Sequence, residues 1–346
     1  NRSMSCLQSR PIQIGLKMGI FLVLCTPLAL AHHGWGPHYD GEAHITVTGV
    51  ITKFEFVNPH SFIYMDVLNE AGETEERWCE MQARTQLQRR NVSEEQFKLG
   101  STITIEGFMS RFDPLGCEFG TGHFYDGTVL TLRQRDGRSL YGAPLMEGNA
   151  SIVGTWYPEV FLPEAGSVED SHFELTVEGK AAHAEFDWVT QNPTLRCSPA
   201  SNIRAWSSPG TPTSIERRGD EIHIRHEFMD AERIIYLDRT EHSVDEPLTD
   251  LGHSIGQFEN GALYVETARF AAGALWAGRL NTEILTTTEK LWVDPRTGYL
   301  NIDWTAYDPN YYMEEHRGTR TLTRTDISVD RFDCDPDLGH APTDSI

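Results

Sequence analysis

The chain has 346 residues and a formal charge of −22, a length that suits about two domains with separate cores. So acidic a surface repels nucleic acid, and no basic cluster longer than a pair such as Arg89-Arg90 offsets it, which excludes a nucleic-acid partner. No apolar run reaches the ~20 residues needed to cross a bilayer, so the chain is expected not to span a membrane.

Taken in chain order, Arg10 and Lys17 precede an apolar stretch from Met18 to Ala31 that closes on Ala29-Leu30-Ala31. That pattern reads as a secretory signal peptide over residues 1–31, with a mature chain opening at His32 and a periplasmic or secreted location. Leu24 stands where a lipid-anchored precursor carries a small residue, which argues against an anchor at Cys25.

From residue 44, HITVTGVITKFEFV alternates apolar and polar side chains and is rich in β-branched and aromatic types, as a strand requires. An Asn58-Pro59-His60 corner leads into a second strand, SFIYMDVLNE, and RWCEM supplies a third. RTQLQRRNVSEEQF is the helical stretch of this half, followed by strands in KLGSTITIEGF and GTVLTLRQ. Five strands with one short helix after the third predict an OB-like barrel over residues 32–142. A glycine-rich loop is expected around His123.

YGAPLMEGNA has turn residues and little β character, so residues 143–150 are expected to be a linker. Nine candidate strands follow, among them HFELTV, AHAEFDW, EIHIRHEF, ALYVET, EILTTTEKLWV and YLNIDWTAY, with turns at Asn260-Gly261 and Arg296-Thr297-Gly298. They predict a larger antiparallel, lipocalin-like barrel over 151–335 and a disordered tail over 336–346. Gly154-Thr155-Trp156 resembles the G-x-W signature of lipocalins, in which an arginine of the last strand packs on the tryptophan. Arg320 is the first candidate for that arginine and Arg324 the second.

The pentapeptide GHSIG at Gly252–Gly256 fits the G-x-S-x-G nucleophile elbow, but an elbow serine needs a buried strand before it and a helix after it. The acidic SVDEPLTDL precedes it and QFENGALYVET follows, where Asn260-Gly261 marks a β-hairpin. Ser254 is therefore expected in a strand, and a hydrolase is the least favoured reading. His253 could instead point into a barrel mouth as a ligand contact.

All 14 histidines follow Ala31. An N-terminal His32 can chelate Cu(II) through its amine and ring, with a second imidazole from His60 or His123, or locally from His33 or His38. A solvated N-terminal arm is the plain alternative. In EIHIRHEF, strand periodicity sends His223 to solvent and His226 to the core or lumen. Trp304 and Tyr307 are further candidates for the ligand site. Four cysteines follow the leader, and their positions suggest one disulfide per domain, Cys79 with Cys117 and Cys197 with Cys334, although four cysteines allow three pairings.

Ala31-His32-His33, the Gly49 strand, Asn58-Pro59-His60, Trp78 and the run from Leu99-Gly100 to Gly107 resemble an uncharacterised family of exported proteobacterial domains with an OB-like barrel, over about residues 31–140. The second half, through Asn192-Pro193, Cys197-Ser198-Pro199 and GHSIGQFENGALYVET, is similar to a companion region joined to such domains. The resemblance implies export and an all-β fold, without an activity. The leading functional expectation is a non-catalytic binder of a small apolar ligand in the second barrel, contacted by His253, His226, Trp304 and Tyr307. The alternative is a copper protein built on His32, with copper as its cofactor.

Overall fold

The computed structural model describes residues 38–132, 150–158, 168–169, 174–187, 191–208, 210–276 and 279–339. The leader, its cut site, His32 and His33 lie outside these residues, as does nearly all of the expected linker. Among the described residues, no helix is long and apolar enough to cross a membrane.

The first half forms six strands: β1 (Tyr39–Glu55), β2 (Phe62–Leu68), β3 (Thr74–Glu80), β4 (Thr102–Ser110), β5 (Gly116–Phe124) and β6 (Val129–Thr131), paired in the order β3-β2-β1-β4-β5-β6. This corrects the expected five-stranded OB-like barrel. The unit is a six-stranded sheet, and β3 meets β5 over only three parallel residue pairs, where Cys79 stands opposite Cys117. The error in strand count lies in GCEFGTGHF, which reads as a glycine-rich loop but is β5. Glycine weakens a strand signal and marks close backbone approach, and a Cβ at Gly107 on the partner strand would lie 1.8 Å from the Glu118 carbonyl oxygen. The expected helix is also shorter: Arg84–Arg89 is α-helical, and a separate 3-10 turn covers Glu94–Gln96. Ile63, Met65, Leu87, Ile103, Ile105 and Phe119 are buried between sheet and helix.

The second half contains β7 (Gly154–Pro158), β8 (Val168–Glu169), β9 (Thr213–Arg218), β10 (Glu221–His226), β11 (Glu232–Tyr236), β12 (His253–Glu259), β13 (Ala262–Ala268), β14 (Gly273–Trp276), β15 (Arg279–Asn281), β16 (Thr286–Val293), β17 (Leu300–Tyr307) and β18 (His316–Arg324). Nine of them close a barrel in the order β17-β16-β13-β12-β11-β10-β9-β7-β18, with β18 pairing back to β17. The barrel is not the wholly antiparallel, lipocalin-like one expected, because β11 and β12 run parallel. Residues 182–185 of the predicted strand AHAEFDW belong instead to a helix, Val177–Glu185, whose first turn is capped by Thr176 Oγ1 accepting from Gly179 N. Ala181, Ala182 and Ala184 favour helix there.

Strand alternation fills the barrel. One inward layer is aliphatic, built from Ile215, Ile222, Ile224, Ile235, Leu263 and Leu291. Beyond it lies a polar layer in which Arg233 and Glu289, both almost wholly buried, form an ion pair. Arg233 also donates to Ser254 Oγ (2.8 Å) and Thr267 Oγ1 (2.8 Å), while Glu289 accepts from Trp206 Nε1 (2.7 Å) and Asn202 Nδ2 (3.0 Å). Asn202 belongs to the short helix Asn202–Ala205, and Trp206 is its C-cap. A third layer joins Ile203, Phe270, Leu275, Trp276, Leu285 and Trp304, the first of the two tryptophans being carried in by the β14–β15 hairpin. The arginine that packs on Trp156 is Arg324, 4.2 Å from the ring centroid, whereas Arg320 lies over Trp304. Gly154 has φ +146°, and a Cβ there would lie 2.1 Å from the Arg324 guanidinium, so the G-x-W glycine makes room for this arginine. The structure contains both disulfides, Cys79–Cys117 and Cys197–Cys334.

Candidate functional site

Because the inward positions are occupied, the chemistry available to a ligand lies on the outer barrel face. Cross-strand register sets it out in rows. Tyr264 on β13 stands opposite Lys290 on β16, which stands opposite Asp303 on β17, which stands opposite Thr319 on β18. The next row is Glu266, Thr288, Thr305 and Arg317. These rows, with Ile255 and Gln257 of β12, floor a groove of about 940 Å³ whose exposed surface is mainly carbon. That volume is within the range of small-molecule sites. Lys290 lies over the rings of Tyr264 and Trp292, at 5.8 and 5.6 Å. Among the described residues it pairs with no carboxylate.

One wall of the groove is a consequence of the parallel pairing. The chain leaving the end of β11 must return along the barrel before it can start β12 in the same direction. Residues 237–252 make that return, and Leu237, Arg239 and Thr240 from this loop line the groove. Gly252 ends it at φ +66°, where a Cβ would lie 2.8 Å from the Ala268 carbonyl oxygen, so the first glycine of GHSIG is a backbone requirement of the turn.

His253 faces outward, under this loop. Its Nδ1 is 2.7 Å from His242 Nδ1, its Nε2 is 3.0 Å from Arg239 Nη1, and its ring stacks on Tyr236. Arg239 also donates to Glu246 Oε1 (2.9 Å) and covers the Tyr236 ring. Burial pushes the His253 imidazole below its ordinary value, against the pull of Glu246, and burial does the same to His242 against Glu266 and Glu246.

The four residues expected at one ligand site do not meet there. His226 is inside the barrel, 1% exposed, with Nδ1 2.9 Å from Thr213 Oγ1 and its ring edge-on to Trp206. Burial, helped by the nearby Arg233 charge, pushes its pKa down to about 3. Trp304 is packed inward beneath the groove, whereas Tyr307 and His253 are on the outer face. Ser254 is buried with Arg233 and Thr267 as partners, on the opposite side of the strand from His253, so the elbow geometry is absent.

Of the histidines proposed for copper, His38, His60 and His123 are among the described residues, and His60 and His123 each engage a carboxylate of their own. His60 Nδ1 meets Glu80 Oε1 at 3.0 Å. Burial raises the Glu80 carboxyl, but the contacts with His60 and Tyr39 lower it by more, leaving it below the ordinary carboxylate range. His123 projects from β5 toward Glu106 (3.3 Å), not from a loop. Among the described residues, no three His, Cys, Asp or Glu side chains are arranged to hold a metal ion.

Tyr264, Lys290 and the loop residues Arg239, His242 and Glu246 were not singled out by sequence reasoning. Alternation in GALYVET and TTTEKLWV does place Tyr264 and Lys290 opposite to the apolar positions of their strands, but only the register between strands makes them neighbours.

Residues 21–116 match the model of a family of unknown function (DUF6152). No curated protein matches the chain.

Proposed function

We propose that the protein binds an amphipathic anion in the outer groove of its barrel, with the apolar body of the ligand along Ile255, Tyr264 and the threonine methyl groups and its charged head at Lys290. The observation that carries this is a carbon-lined groove of about 940 Å³ with a lysine on its floor that lies over two aromatic rings and, among the described residues, forms no ion pair, although Asp303 stands opposite it in the sheet. A ligand anion would supply the charge-assisted hydrogen bonds that this ammonium lacks. The groove takes over the role first expected of the lumen, which Trp206, Trp304 and the Arg233–Glu289 pair fill. The two disulfides support an oxidising, exported location.

The test is fluorescence titration with a dansyl-tagged long-chain alkylsulfonate. Saturable one-to-one binding is expected, weakened by roughly tenfold or more in Lys290→Glu, since a hydrogen bond to a charged group contributes about 1.5–3 kcal/mol. Equal affinity in wild type, Lys290→Glu and Tyr264→Ala would remove the groove as the site.

A further inference from the structure

The loop 237–252 is fastened to β12 by a hydrogen bond between two imidazoles, and the donors around it determine where the protons sit. A guanidinium only donates, so Arg239 Nη1, 3.0 Å away, requires His253 Nε2 to accept. His253 then carries its proton on Nδ1 and donates it to His242 Nδ1 at 2.7 Å. His242 in turn carries its proton on Nε2, a buried atom with no hydrogen-bond partner among the described residues, 3.6 Å from Glu266 Oε1. Two rings thus hold two protons, and both remaining nitrogens are committed as acceptors.

A third proton cannot be added without breaking a contact. On His253 Nε2 it would face the Arg239 cation; on His242 Nδ1 it would set two N–H groups against each other. The groups facing the pair are Arg239 and Glu246 from the loop, Glu266 from β13 and Tyr236 from β11. Glu246 Oε1 and Glu266 Oε1 each lie 3.6 Å from an imidazole Nε2, Glu246 from His253 and Glu266 from His242, ready to receive a ring that has become an imidazolium. Arg269, which donates to the Val244 and Glu246 backbone carbonyls, holds the loop from the other side through bonds that contain no titrating group.

We propose that the His242–His253 pair is an acid-released latch on the groove wall. While both rings are neutral, the loop carrying Leu237, Arg239 and Thr240 is closed against β12. Uptake of one proton breaks either the ring-to-ring bond or the Arg239 contact, and the imidazolium turns to Glu246 or Glu266 as the wall loosens. Burial depresses both histidines, so release falls below the ordinary imidazole range. That release of the wall also frees the bound ligand is a consequence that rests on the groove reading; the latch itself does not.

Hydrogen exchange on the full chain, corrected for intrinsic rates, tests it between about pH 8 and about pH 4.5, a span that extends well below the titration of a free imidazole at about 6.5. Wild-type amides in residues 237–252 should lose protection by roughly tenfold relative to the barrel strands, the effect of losing one or two hydrogen bonds. In His242→Asn/His253→Asn and in His242→Gln/His253→Gln, which leave no imidazole in the latch, that pH dependence should vanish. Unchanged wild-type protection across the span overturns the latch, as does an equal response in both variants. A parallel titration with the dansyl alkylsulfonate, which stays ionised throughout, separates the two proposals. Loop release without loss of affinity keeps the latch and refutes its link to the groove.

Discussion

Glu289 and Lys290 are neighbours in the chain and lie on opposite sides of β16, so replacing each with alanine should give opposite results. Glu289 is 2% exposed and accepts from Arg233, Trp206 and Asn202. Glu289→Ala leaves a guanidinium buried without a counter-charge, for which breaking a buried pair costs about 3–5 kcal/mol. It also strands the Trp206 donor, worth about 1–3 kcal/mol, and removes one of the two acceptors of Asn202 Nδ2, which keeps Thr287 Oγ1. These losses belong to one network and do not add in full, so the expected cost is about 4–6 kcal/mol, a large part of the stability of an ordinary domain. Lys290→Ala removes an outward side chain and should cost no more than about 0.5 kcal/mol. The assay is urea unfolding followed by circular dichroism, with Arg233→Met/Glu289→Met as a third variant. That pair should regain the part of the loss that comes from the unpaired charge, because replacing both partners of a buried ion pair with apolar groups is often neutral, while Trp206 Nε1 still lacks its acceptor. A Glu289→Ala loss below about 1 kcal/mol, or similar losses at 289 and 290, would refute the filled barrel and its register.

Other consequences follow from single contacts. Arg324→Ala removes the cation over Trp156 and the donors to the Val153 and Ser151 carbonyls, and should lower stability by about 1–3 kcal/mol in the same assay, whereas Arg320→Ala should leave the Trp156 fluorescence environment unchanged. His226 has a folded-state pKa depressed to about 3, so the unfolded chain binds the extra proton first. The stability gained by keeping it neutral is present above about pH 6.5 and is lost as pH falls toward about 3, by up to about 4–5 kcal/mol; His226→Leu should flatten that part of the pH–stability curve measured by urea titration. His60 and His123 are engaged with separate carboxylates, so alanine at either position should leave the stoichiometry of a Cu(II) titration unchanged, and a lost equivalent in either variant would overturn their separation.

The sequence by itself determined the local structure: the alternation in EIHIRHEF that sends His226 inward, the Asn260-Gly261 hairpin, and the β flanks that deny Ser254 an elbow. It also suggested the correct cysteine partners, since one pair falls in each half. It misread GCEFGTGHF, where glycines fit tight strand contacts, and AHAEFDW, whose start is helical on alanine propensity. Whether the barrel was hollow could not be read from alternation, because alternation names inward positions without saying what fills the space between them. That was decided by Trp206 and Trp276, which enter from segments outside the nine strands. The groove depended on register, which aligned Tyr264, Lys290 and Asp303 across three strands, and on the parallel pairing of β11 with β12, which folded His242 back over His253. Both are contacts between residues distant in the chain, and their geometry is settled only when the whole sheet closes.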